Sequence, residues 1–90
     1  MGAMSGYNKK TGVFGLTATK AKYWFRRKDV PEACRELKGM EFFACLLRHH
    51  GLEVIHVGNA FLEVKATAGP IWEALSGQPS DPEREAYYMR

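Results

Sequence analysis

The chain is 90 residues long, 46% hydrophobic and 26% charged, with a formal net charge of +3. Those figures restrict it to one domain with a small core and exclude a disordered chain. No apolar run approaches the ~20 residues that cross a bilayer, and no N-terminal apolar stretch reaches signal-peptide length, so no membrane partner and a cytoplasmic location are expected.

The charge is unevenly placed. Residues 1–28 hold seven bases (Lys9, Lys10, Lys20, Lys22, Arg26, Arg27, Lys28) and no acid, whereas residues 29–90 set six bases against ten acids. A basic face at the N-terminal end follows. Met1-Gly2-Ala3 ahead of Met4 reads as a cloning scar, and residues 1–12, polar and glycine-bearing, read as a flexible arm before a single domain over 13–90.

Val13 to Thr17 is a short strand weakened by Gly15, and the aromatic run Lys22 to Arg27 reads as a stronger one. On it Tyr23 and Phe25 share one face and Lys22, Trp24 and Arg26 the other. Asp29-Val30-Pro31-Glu32 carries the features of a helix start, and Ala33, Leu37, Met40, Ala44 and Leu47 keep helical spacing to a stop at Gly51. One long helix from 29 to 50 is therefore expected. On it Cys34 and Cys45 stand about 16 Å apart at 1.5 Å per residue, beyond the roughly 7 Å that a disulfide spans. Two free thiols in a reducing compartment are the consequence.

Leu52 to Val57 and Ala60 to Thr67 form a hairpin about Gly58-Asn59 with Ile55 opposite Leu62. The core face is Ile55, Val57, Ala60, Leu62, Val64 and Ala66, and the other face carries Leu52, Val54, His56, Phe61, Glu63 and Lys65. Ile71 to Ser76 is a short helix ending at Gly77, with Trp72 as a core plug, and Glu85 to Met89 is a last strand. The fold class is α+β: a small antiparallel sheet with one long and one short helix on one face. The element order is that of the split βαβ (ferredoxin-like) fold, with a ββαββ sheet and flanking helix as the alternative.

Three chemistries are open to such a domain. Trp24, Arg26, His56 and Phe61 on an open sheet face form an aromatic surface for a protein partner or a second copy of the chain, with Phe42 or Leu46 as a helix-side alternative. The same face with Lys9, Lys10, Lys20, Lys22, Arg26, Arg27 and Lys28 suits single-stranded nucleic acid, since aromatics stack on bases and cations hold phosphates. Cys45 and His49, four apart on a helix, with His56 from the next strand, form a sparse metal set lacking the paired Cys-x-x-Cys element of common zinc modules. No nucleophile elbow, phosphate loop, dinucleotide fingerprint or His-Glu-x-x-His occurs. The expectation is a non-catalytic interaction module without a cofactor.

Overall fold

A computed structural model describes residues 6–89. Residues 1–5, which include the segment expected to be a scar, lie outside the described range. Four strands, β1 (Gly6–Asn8), β2 (Val13–Thr17), β3 (Glu53–Val57) and β4 (Phe61–Lys65), form one sheet in the order β1-β2-β4-β3, with every neighbour antiparallel. Among the described residues four helices, α1 (Ala18–Trp24), α2 (Met40–His49), α3 (Ala68–Ser76) and α4 (Pro82–Tyr88), complete the α+β fold. One core unites the sheet side chains Phe14, Leu16, Leu62 and Val64 with residues of α1, α2 and α3, so the helical layer covers one face and the other stays open. The chain order is ββααββαα, nearer the ββαββ alternative than split βαβ.

The arm is a strand where it meets the domain. Gly6–Asn8 pairs with β2, and the turn closes because the Asn8 Oδ1 accepts from the Lys10 and Thr11 amides at 2.9 and 3.3 Å. An asparagine bonding its own turn favours such a reversal.

The expected strand at Lys22 to Arg27 is instead the end of α1 and the loop after it. Thr17 caps the helix, its Oγ1 accepting from the Lys20 amide at 3.2 Å. Ala21 and Trp24, three apart, are its buried pair. That is helical rather than alternating periodicity, so aromatic propensity was outweighed by the cap.

The long helix divides at Gly39. The strong start at Asp29 yields only a 3₁₀ turn, Glu32–Cys34, and α2 begins at Met40 with Gly39 as its N-cap at φ 63°, ψ −144°. This backbone region is almost closed to any residue but glycine. Gly39→Ala should therefore cost about 1–3 kcal/mol and lower the urea midpoint with an unchanged slope; a midpoint within error of the parent would contradict this placement. The break lets the 3₁₀ turn fold back on α2, which joins Cys34 to Cys45 in a disulfide with 5.6 Å between Cα atoms. The expectation of two thiols too distant to pair rested on an unbroken helix and is corrected.

In the β3–β4 hairpin Val57 faces Leu62 and His56 faces Glu63, a slip of two from the expected register that keeps the faces. Between Val54 and His56 a bulge then turns Ile55 outward and Val54 toward the core. An extra residue on one strand reverses the facing of everything beyond it, so Ile55 is 48% exposed rather than core. Ala60 is exposed in the turn.

Toward the C-terminus, α3 ends as expected, with Gly77 in the left-handed region at φ 73°. The expected strand at 85–89 is the body of α4. The Asp81 Oδ1 accepts from the Arg84 amide at 2.7 Å and Pro82 occupies the first turn, a start signal of the same kind as those read at Asp29. Tyr88 at the end of α4 and Met89 after it pack against the core, Tyr88 on Trp24 of α1, and the Met89 sulfur accepts from the Ala68 amide of α3.

Candidate functional site: the open sheet face

On the uncovered face the strand register sets Gly6 beside Gly15, then Glu63, then His56. Two neighbouring positions thus carry no side chain, and bare backbone floors a notch. Val13 and Ile55 add apolar walls, Glu63 a carboxylate, and Asn8, Lys9, Lys10 and Thr11 of the hairpin tip form a rim around an open trough of about 760 Å³. Its size is that of ordinary ligand pockets. Lys9 and Lys10 are exposed and in no ion pair among the described residues. Near the β3–β4 turn the rings of His56 and Phe61 meet at a tilt of 37°, with centroids 5.3 Å apart.

Of the residues expected on this face, His56 and Phe61 are therefore brought together. Trp24 is not, being fully buried in the helical layer within 6.1 Å of Phe14, 5.8 Å of Trp72 and 4.8 Å of Tyr88. Nor is Arg26, whose guanidinium lies over Tyr23 of α1. The helix-side alternative is occupied as well: Leu46 is buried, and Phe42 packs edge-on against Phe25 and Phe43. Trp72 is a core residue as expected, with Arg84 stacked 3.9 Å from its ring.

The seven bases do not make one patch. Lys9 and Lys10 sit on the hairpin tip, while the others belong to α1 and the loop after it. Lys20 holds its ammonium 5.2–5.7 Å from the rings of Phe14, Trp24 and Tyr88. Burial lowers its pKa from the ordinary 10.5, and the rings offset part of that desolvation cost. Because the folded-state pKa is the lower one, charged Lys20 opposes folding at neutral pH, and the opposition fades as pH rises through the lowered value. Arg27 is committed to structure, donating to the Ala74 carbonyl of α3 at 2.8 Å and to the Asp29 backbone. Lys22, Arg26 and Lys28 are exposed.

Two further polar groupings occur. Arg27, His50, Glu73, Gly77, Gln78 and Pro79 line an open cleft of about 340 Å³. In it His50 and Glu73 lie 3.6 Å apart with side chains 38% and 40% exposed, a solvated pair of the kind worth at most about 1 kcal/mol. The second grouping is Cys34, Cys45 and His49, whose ligand atoms all lie within 4.8 Å of one another. It retains Cys45 and His49 of the expected metal set. Cys34 takes the third place, and His56 is not among the three.

Sequence reasoning missed Gly6, Val13, Gly15 and Ile55. A glycine inside a strand signals close backbone approach or a bare surface, so Gly15 was the available clue; the outward turn of Ile55 has no local signature. No helix among the described residues is long and apolar enough to cross a membrane. No family model, curated protein or solved structure matches the chain.

Proposed function

We propose that the protein is a non-catalytic interaction module whose open sheet face docks a segment of a partner protein, one bulky apolar side chain flanked by acidic residues. The observation that carries this reading is the backbone-floored notch at Gly6 and Gly15, walled by Val13 and Ile55 and rimmed by two unpaired lysines. A side chain seated there replaces water over apolar surface, at roughly 25 cal/mol per Å² buried. Lys9 and Lys10 favour acidic neighbours, and the Glu63 carboxylate accepts amide donors of the incoming backbone. The half-exposed Ile55 is the largest apolar contribution, and buried apolar anchors dominate such interfaces.

Selection of a random peptide library on the immobilised full chain tests this. Enriched peptides should carry an aromatic or long aliphatic residue beside Asp or Glu. Their affinity should fall by roughly tenfold or more, 1.4 kcal/mol or above, in Ile55→Glu, and by less, with reduced salt sensitivity, in Lys9→Glu/Lys10→Glu. Both variants change exposed positions, so folding should survive. No enrichment, or peptides that bind Ile55→Glu equally well, would sink the reading. The second copy of the chain is tested by mass in solution. Nucleic acid is tested by anisotropy of labelled single strands, where salt-sensitive binding lost in Lys9→Glu/Lys10→Glu would replace the protein partner. That alternative rests on the His56–Phe61 ring pair and the two hairpin lysines, since Trp24, Lys20 and Arg27 are engaged elsewhere.

A cytoplasmic location is part of the proposal. In that compartment a cysteine pair acts as a redox sensor rather than a permanent staple.

A further inference from the structure

We infer that Cys34, Cys45 and His49 form a redox-gated site for a thiophilic divalent cation of the zinc class, closed as the disulfide and open when reduced. The three ligand atoms already lie within 4.8 Å of one another. A tetrahedral metal with Zn–S about 2.3 Å and Zn–N about 2.0 Å sets its ligands roughly 3.5–3.8 Å apart. Small side-chain rotations therefore complete the site without backbone movement.

Each ligand is held by ordered backbone. Cys45 and His49 are one turn apart on α2 and share a face. Cys34 is fixed by the 3₁₀ turn, its amide donating to the Pro31 carbonyl at 2.9 Å and its carbonyl accepting from the Leu37 amide at 3.1 Å. Burial falls from Cys34, fully buried, through Cys45, half-buried, to exposed His49. A metal enters from the imidazole side, and water fills the fourth position there. Two thiolates and a neutral imidazole cancel the charge of a divalent cation, so the half-buried site is neutral when loaded. Thiolate with imidazole selects zinc-like ions over calcium or magnesium.

Disulfide and metal exclude each other because a bonded sulfur is no thiolate. A dithiol reductant opens the pair by thiol–disulfide exchange: the S–S bond breaks, the reductant forms its own disulfide, and two electrons and two protons pass to Cys34 and Cys45. Metal binding then releases those two protons to solvent as two metal–sulfur bonds form.

Cobalt(II) titration of the full chain tests this, with one sample oxidised and the other reduced by a phosphine under inert gas. The reduced chain should take up one equivalent, giving thiolate-to-metal charge-transfer absorption and the ligand-field bands of a tetrahedral site. Zinc(II) should displace the cobalt. The oxidised chain should show none of this. His49→Ala, an exposed position that leaves the fold intact, should bind cobalt roughly tenfold or more weaker with altered ligand-field bands; Cys45→Ser should weaken the charge-transfer band, and Cys34→Ala/Cys45→Ala should abolish it. A reduced chain that takes no cobalt, an oxidised chain that gives the same spectrum, or His49→Ala indistinguishable from the parent would each overturn the site. The readout involves neither the sheet face nor a peptide, so it stands or falls apart from the docking proposal.

Discussion

Reduction of the Cys34–Cys45 bond, measured with a chelator present, lowers the thermal midpoint by roughly 10–20 °C. The bond closes a loop with a sequence separation of 11. Loop-closure entropy for a ring near that size gives about 2–3 kcal/mol, and each kilocalorie shifts the midpoint of a 60–100-residue domain by about 4–8 °C. The loss is concentrated in one place. Residues 35–39 are exposed and depend on the bond and the 3₁₀ turn to stay against α2. Amide exchange in that segment should therefore quicken before the sheet amides do. Cys34→Ala/Cys45→Ala should melt near the reduced parent, since it also lacks the crosslink. Zinc added to the reduced parent at a hundredfold excess over its dissociation constant should return about 2.7 kcal/mol, whereas the double variant should gain nothing. Superimposable melts of oxidised and reduced chain would remove the disulfide from the account of stability.

The sequence made some elements legible and hid others for identifiable reasons. The β3–β4 hairpin, α3 and its stop at Gly77, and the apolar body of α2 were visible because each combines periodicity with a local stop signal. The antiparallel sheet with helices on one face followed from them. Helix α1 was hidden because Tyr23, Trp24 and Phe25 favour a strand by propensity, while the deciding contact is a single threonine cap three residues from Lys20. Helix α4 was hidden by the same aromatic bias at Tyr87 and Tyr88, although Asp81-Pro82 announced it. Gly39 lies inside the span expected as one helix, and its positive φ makes it the break that allows a disulfide. The site was less legible than the fold, because a sheet face is defined by register. One bulge at Ile55 moved a side chain from core to surface, and no periodicity reports a bulge.

Trp24 decides between a docking residue and a keystone of the core, and Trp24→Ala should destabilise the protein by about 3–5 kcal/mol. A domain of this length holds about 5–13 kcal/mol in all, so the variant should be partly or largely unfolded at 37 °C. The indole is fully buried and is the ring on which β2, α3 and α4 converge through Phe14, Trp72 and Tyr88. Removing it empties the space beneath Lys20 and frees α4, which has no buried residue of its own. Trp24→Phe should cost much less, about 1–2 kcal/mol. It keeps an aromatic ring at the junction and also removes the indole N–H, which is buried with no hydrogen-bond partner among the described residues. An unpaired buried donor costs about 1–3 kcal/mol, and phenylalanine lifts that cost while leaving a smaller cavity than alanine. Urea unfolding with a shared slope reads both values. A surface aromatic would give changes within about 0.5 kcal/mol for either substitution. That outcome would return Trp24 to the surface, whereas a large alanine loss with a small phenylalanine loss fixes it as the ring that ties the helical layer to the sheet.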